Sequence, residues 1–478
     1  MMCGCDSYHG ELCELKGQCK YYIQKSCICN QRLAVCNRVV RDWPQPTKEG
    51  LDAVRIVVLA MAQAMGNIGA LETPDWIQTY ASRKRLQYEH AYRSLLVRPV
   101  RRQDATVQAF VKREKVSDPT KDPRLIQSRS RRFGISIGMY LKPIEKKFYK
   151  LHGTHIRYLP NGRLMAKGCT QQQRAALVHA AWNALENPVQ LALDCSRFDA
   201  HCSRKLLLLE HLFYRKCNRS NKFATLLQWQ LDNVGYTTDG IRYTCSGRRM
   251  SGDMNTSVGN CVLMIAMLSA AMHEMRIPKA HWRMVDDGDD CCLIVEQRHE
   301  ALITAQITDI FATYGHELKI ESTSTTIETV RLCSCSPITV VNTPTMVQEP
   351  SRCIGKARVH LRPYTGRHLT KYTATVGQCL LSINVGVPIL QALACLLRRS
   401  DKDIYPDIPG TFLYSVQPDF KLAQPIQVDI RSRISFANAF RISLEDQIHI
   451  EQSYNHITAK QLLRTALPTW PEAPDGRW

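Results

Sequence analysis

Met284-Val285-Asp286-Asp287-Gly288-Asp289-Asp290-Cys291-Cys292-Leu293-Ile294-Val295 sets a tight acidic turn between two apolar flanks. The flanks predict the two strands of a hairpin, and Gly288 supplies the φ freedom that such a turn needs. Asp289 and Asp290 then sit at the turn, pinned by a strand on either side. Adjacent carboxylates hold like charge at close range, which is costly unless a cation shares the site. Mg²⁺ is the natural candidate, because it takes carboxylate oxygens and shares its shell with phosphates. A solvated hairpin tip has the same local pattern, so the decision rests on the sequence upstream.

Val189-Gln190-Leu191-Ala192-Leu193 reads as a strand that delivers Asp194-Cys195-Ser196-Arg197-Phe198-Asp199. Backbone rigidity fixes Asp194 at the strand end. Nucleotidyl transfer needs carboxylates from two separate strands, holding two Mg²⁺ ions about 4 Å apart. Asp194 and Asp289 are suited to bridge them. Between these acids lies Met250-Ser251-Gly252-Asp253-Met254-Asn255-Thr256-Ser257-Val258-Gly259-Asn260-Cys261, a flexible loop opening a helix predicted over 251–273. Ser251, Thr256 and Asn260 put polar groups near one side of an otherwise apolar helix. Such groups need partners, and a ribose hydroxyl would serve. An N-capped core helix is the plainer alternative.

The chain has 478 residues and a formal net charge of +20. A protein this basic usually meets a polyanion, and nucleic acid is the first candidate. The charge is concentrated: Arg83 to Lys147 carries 18 Lys/Arg against 6 Asp/Glu, which argues for a binding surface over a merely solvated basic face. Of 20 cysteines, seven crowd the first 36 residues: Cys3, Cys5, Cys13, Cys19, Cys27, Cys29 and Cys36. No signal-peptide pattern precedes them, so a reducing compartment is favoured over disulfides. Zinc at this cluster is a candidate, although no Cys-x-x-Cys pair is present. The thirteen later cysteines read as buried thiols. The best apolar run, 54–71, is interrupted by Arg55, Gln63, Gly66, Asn67 and Gly69, so no transmembrane span is expected.

The pattern divides the chain into four regions. Residues 1–50 are a Cys-rich segment ending in Trp43-Pro44-Gln45-Pro46, read as a linker; the segment is expected to be dispensable for chemistry, the alternative being that it packs on the rest of the chain as structure. Residues 51–188 hold helices, with a break at Thr73-Pro74-Asp75, and then a basic stretch over 99–150. Pro119, Pro123 and Pro143 are expected to cut that stretch into strands and loops. Residues 189–336 carry the acids, with an insertion at about 215–250. Residues 337–478 read as mostly helical. The mixture of strands, helices and a hairpin predicts an α+β fold rather than a wound parallel sheet.

Asp-x4-Asp, Ser-Gly-x3-Thr-x3-Asn and Gly-Asp-Asp, in this order, resemble the motifs of a viral RNA-dependent RNA polymerase. Leu193 to His201, Arg249 to Thr256, Val285 to Val295 and Asp239-Gly240-Ile241-Arg242-Tyr243 are similar to the polymerases of the tombusvirus and carmovirus group of positive-strand RNA viruses. The resemblance runs over about 107–360. It implies a right-hand fold: fingers within 51–188 and the 215–250 insertion, a palm of antiparallel sheet flanked by helices within 189–336, and a thumb within 337–478. It also implies replication of a viral RNA genome by two-metal nucleotidyl transfer.

Under this resemblance Asp194, Asp289 and Asp290 hold two Mg²⁺ ions, with Mn²⁺ as a substitute. Asp199 and Asn260 read the ribose 2′-OH, beside Ser251, Gly252 and Thr256. Phe110-Val111-Lys112-Arg113-Glu114-Lys115 and Pro123-Arg124-Leu125-Ile126-Gln127 resemble the basic fingertip motif, so Lys112, Lys115 and Arg124 would neutralise the incoming triphosphate. Lys319 matches the lysine that protonates leaving pyrophosphate. Arg331-Leu332-Cys333-Ser334 resembles the hairpin that grips the nascent strand.

The implied partners are template and nascent RNA, nucleoside triphosphates, another viral replication protein and, through it, host membranes. The implied setting is a membrane-associated replication complex in the host cytoplasm. Two departures stand out. Asp286-Asp287 precede the turn where relatives often carry amides, which adds negative charge near the metals. The long amino-terminal region that anchors many relatives to membranes is not seen, so a separate protein or a longer translation product would supply it. A reverse transcriptase shares the paired Asp but usually carries a bulky residue where Gly288 stands. An RNA-binding protein with a decayed palm would not keep every acid.

Overall fold

A computed structural model describes residues 8–9, 22–80, 82–118, 120–359, 364–405 and 423–462. Strands Trp282–Asp286 and Asp290–Glu296 pair antiparallel, with Cys291 opposite Asp286 and Val295 opposite Trp282. The Asp287 N–H donates to the Asp290 carbonyl at 2.8 Å, closing a two-residue loop of Gly288 and Asp289. Gly288 has φ +102° at the first central position, where a type II′ hairpin turn calls for glycine.

Around this hairpin a four-stranded antiparallel sheet forms in the order Leu318–Ser324, Pro188–Cys195, Asp290–Glu296, Trp282–Asp286. Leu191, Leu193, Cys291, Leu293 and Val295 join a core with helices Lys48–Met65, Arg204–Cys217 and Thr256–Glu274. Cys292 and Ile294 pack the other way, with Ala175 and Val178 of helix Gln171–Asn183. Burial on both faces explains why this strand is apolar throughout rather than alternating. Helix Thr256–Glu274 is apolar all round for the same reason. Among the described residues it is the one helix long and apolar enough to cross a membrane, and 83% of that window is buried inside the fold.

Local signals start the helices. Thr170 and Gln173 exchange a capping box at Gln171–Asn183, and Ser203 accepts from the Leu206 N–H at Arg204–Cys217. One helix runs where the prolines predict a break. Val107–Val111, Lys115–Val116 and Leu125–Ser128 are strands, but Arg131–Phe148 continues through Pro143. Pro143 has no N–H for the Met139 carbonyl, and the Leu71 N–H takes that carbonyl at 2.8 Å instead.

A second four-stranded sheet has the order Leu125–Ser128, Val107–Val111, Asp232–Thr237, Arg242–Ser246, with one parallel pair in the middle. Beyond residue 334 a hairpin of Cys335–Val340 and Thr343–Gln348 precedes the expected helices. Those helices enclose a separate core containing Ile354, Leu393, Leu397, Phe436 and Phe440.

The amino-terminal segment is not set apart. Helix Ile28–Val35 and the turn after it place Ala34, Val35 and Val39 in one buried cluster with Val107, Ala109, Val111 and Leu125. Asn37 donates to Asp122 at 2.8 Å, and Arg38 donates to the Asp122 and Pro123 carbonyls at 2.9 Å each. The expected linker is packed as well: Trp43 is buried against His201, and the Thr47 N–H donates to the Thr313 carbonyl at 2.8 Å. Cys3, Cys5, Cys13 and Cys19 lie outside the described residues. Cys27 opens the helix, Cys29 is half-buried and Cys36 is exposed.

Candidate active site

The sheet register assembles the acids. Asp290 lies directly opposite Asp194, and Asp194 lies directly opposite Lys319 on the far neighbour. Directly opposed residues project from the same face. Three adjacent strands therefore present carboxylate, carboxylate and ammonium side by side, with Asp289 next to them at the turn. All four side chains are exposed at the end of the sheet.

The charge balance shows what this row could hold. The Asp290 carboxyl is pushed up to about 6, first by its partial burial and then by the neighbouring Asp289, with Asp287 and Asp194 adding to it. A carboxylate that binds a proton this readily is short of positive charge, and a divalent cation meets that need without a proton. The donor set is all oxygen, which suits Mg²⁺. Among the described residues no three His, Cys, Asp or Glu side chains are already drawn together around one point.

The two additional acids are each held by their own surroundings. Asp286 is fully buried and its carboxyl is held well above the usual range, first by burial. Its Oδ2 accepts from the Gly288 N–H at 3.2 Å and so shapes the turn. Asp287 forms ion pairs with Lys167 at 2.7 Å and Arg174 at 2.6 Å. Burial pushes this carboxyl up, but the two cations outweigh it and the net shift is downward.

A group lowered in the folded state adds stability above its ordinary value of 3.8, and that stability is lost as the pH falls through the folded value. Melting temperatures measured between pH 6 and about pH 3 should therefore fall more steeply for the native chain than for Asp287→Asn. Parallel curves would show that the ion pairs contribute nothing.

Arg331-Leu332-Cys333-Ser334 reaches the same turn. Leu332 and Cys335 exchange two backbone hydrogen bonds of 3.0 Å, and Cys333 and Ser334 between them have φ +54° and +58°. Two successive positive φ values without glycine are a strained way to build a turn. The Cys333 thiol donates to Asp287 at 3.1 Å, tying this hairpin to the acidic one.

On the other side of the acids, the Asn260 amide donates to Asp199 at 3.0 Å. The loop before the helix is anchored to strand Leu125–Ser128. Ser251 donates to the Leu125 carbonyl at 2.8 Å, and the Gly252 N–H donates to the Gln127 carbonyl at 2.9 Å. A Cβ on Gly252 would come within 2.8 Å of that carbonyl, so the approach needs glycine. This anchoring is why the helix begins at Thr256 rather than at Ser251. Thr256 spends its hydroxyl on the Met250 carbonyl at 2.9 Å, locking the loop.

The basic residues divide. Lys112 and Arg124 flank Glu114 at 3.2 and 3.6 Å and remain partly exposed. Lys115 is engaged elsewhere: its ammonium donates to the Lys356 carbonyl, and its pKa is pushed down to about 8, first by burial and then by Lys356. Its site therefore differs from the one expected for a triphosphate-neutralising lysine.

The sequence reading missed a buried ion pair behind Asn260. Arg249 meets Glu210 at 2.6 Å, with both side chains almost wholly buried. The signal was present. In the helix Arg204–Cys217 the buried positions include 206, 207, 210, 213, 214 and 217, and Glu210 is an acid on that apolar face. Lys167 and Arg174 were missed too, since nothing local marks them as partners of Asp287.

A model of the family described as viral RNA dependent RNA polymerase matches residues 24–461. The RNA-directed RNA polymerase of Carnation mottle virus is 31% identical over 461 residues, covering 92% of this chain and 58% of that protein. That of Tomato bushy stunt virus (strain Cherry) is 32% identical over 379 residues, covering 75% and 44%. That of Red clover necrotic mosaic virus is 33% identical over 369 residues, covering 74% and 47%. The chain spans about half the length of the curated relatives it matches.

Proposed function

Because this chain belongs to the viral RNA-dependent RNA polymerases, we propose that it copies an RNA template into RNA by joining ribonucleoside triphosphates to a growing 3′ end. The observation that carries this reading is the register Asp290–Asp194–Lys319, with Asp289 at the turn beside it. The family implies a divalent metal. In our reading Asp194, Asp289 and Asp290 hold two Mg²⁺ ions. When bound, these lower the pKa of the attacking 3′-hydroxyl and neutralise the leaving pyrophosphate.

The chain's own groups do the rest. Lys319, one strand away from Asp194, holds a proton at Nζ that leaving pyrophosphate can take. Lys112 and Arg124 are exposed enough to meet the triphosphate. Asp199 accepts from the ribose 2′-OH and Asn260 donates to it, a recognition that a deoxyribose cannot satisfy. The sheet carrying the acids would be the palm, the sheet built on Val107–Val111 the fingers, and the helices beyond 350 the thumb. The excess of basic residues over 83–147 supports RNA as the polyanion. Host cytoplasm, a second viral replication protein and membranes reached through it belong to the same proposal.

Incorporation of a ribonucleotide and its 2′-deoxy form on a primed RNA template tests this reading. The native chain should favour the ribonucleotide strongly. Asn260→Asp and Asp199→Asn should each reduce the preference about tenfold, since a buried polar partner is left unpaired. Equal use of both nucleotides by the native chain would point to a reverse transcriptase. RNA binding with no incorporation at all would point to a binding protein.

A further inference from the structure

The buried Arg249–Glu210 pair has no place in the chemistry described so far, yet it touches both residues that face the ribose. All three guanidinium nitrogens of Arg249 are in contact with one of two partners. Nη1 and Nη2 meet the two oxygens of Glu210 at 3.0 and 2.6 Å, and Nε donates to Asn260 Oδ1 at 2.9 Å. Its main-chain N–H donates to the Asp199 carbonyl at 2.9 Å. One residue thus holds the side chain of Asn260 and the backbone of Asp199.

The chemistry fixes a direction. A guanidinium has donors only, so the amide group facing it must be the oxygen. That leaves Nδ2 of Asn260 towards Asp199, where the structure has it at 3.0 Å. The reversed amide would set its NH₂ against the guanidinium and its oxygen against the carboxylate.

Glu210 in turn is held at Oε1. Tyr214 and Asn255 each donate to Oε1 at 2.8 Å. The helix backbone closes on the pair at Gly259, where a Cβ would lie 2.2 Å from Glu210 Oε1 and 2.7 Å from Arg249 Nη1. A buried ion pair is weak as a source of stability, because desolvation offsets the attraction. What this one supplies is orientation.

Resting on the polymerase reading, we propose that Arg249, braced by Glu210, is the positioning residue for 2′-hydroxyl discrimination. Its Nε sets the Asn260 amide with Nδ2 towards the sugar site, and its main-chain N–H sets Asp199. A 2′-OH then accepts from Asn260 and donates to Asp199 with no rearrangement of either.

Arg249→Lys tests this directly, because lysine keeps a cation for Glu210 but has no Nε to hold the amide. Single-nucleotide extension on a primed RNA should show kcat/KM for the ribonucleotide falling about tenfold. The value for the 2′-deoxy form should stay unchanged, so the ratio collapses from one side. A merely structural defect would lower both alike. Phe213→Leu, a core truncation on the helix that carries Glu210, serves as that control and should lower the melting temperature without moving the ratio.

If Arg249→Lys does not fold, Glu210→Asp carries the test. Its shorter side chain draws the guanidinium back from Asn260, and the ratio should fall in the same direction. An unchanged ratio in a folded, active variant of either kind overturns the proposal. Failure of the native chain to prefer ribonucleotides would instead overturn the reading on which it rests.

Discussion

Asp194→Ala and Asp289→Ala should each reduce RNA synthesis by roughly a thousandfold or more, because each removes a carboxylate that would hold the Mg²⁺ ions needed to neutralise the developing negative charge of phosphoryl transfer. Fold and RNA binding should survive. Both side chains are exposed at the end of the sheet, so truncation opens no cavity. Both also belong to the crowd of acids that pushes Asp290 up to about 6. Removing either relieves repulsion, so the melting temperature should hold or rise, a trade of stability against function common at active sites. RNA affinity should hold or rise for the same reason, since the acids repel phosphate. Incorporation, RNA affinity and melting temperature measured on one preparation separate lost chemistry from lost fold or lost binding. Synthesis by either variant above a few per cent of native would remove these acids from the chemistry.

Deletion of residues 1–46 should abolish activity by unfolding the sheet that holds the basic strands. The deletion removes Ala34, Val35 and Val39 from the cluster with Val107, Ala109, Val111 and Leu125. It also takes away Trp43 from His201 and the Asn37 and Arg38 bonds to Asp122 and Pro123. Lost apolar burial alone is on the order of 5 kcal/mol, which is comparable with the whole stability of an ordinary domain. Thermal unfolding and extension by the shortened chain check this. A folded, active chain lacking these residues would show that the packing is incidental and restore the dispensable segment expected from the sequence.

The contrast between these two regions shows what a sequence discloses. The acidic hairpin was legible because its determinants are local: apolar flanks, Gly288 at a position that needs positive φ, and acids fixed by the strands. The same holds for the strand delivering Asp194. The amino-terminal segment left two readings open because cysteine density and two prolines describe composition, whereas its packing depends on residues far along the chain. Pro143 misled for a related reason. The bond it cannot make is replaced by Leu71, which the local sequence does not announce. Asp286 and Asp287 looked like surplus charge at the metals. Burial raises the proton affinity of one, and Lys167 and Arg174, distant in sequence, pair with the other. Glu210 was the legible signal not used, an acid placed on the apolar face of a helix.

The central claim is that these residues carry out templated RNA synthesis. One measurement tests it most directly: extension of a primer on an RNA template of defined sequence, with Mg²⁺ and one of the four ribonucleotides withheld. Products should stop one position before the first template base calling for the missing nucleotide, and extension should resume when it is added. Addition that ignores the template sequence, or no extension by a correctly folded chain, would contradict it.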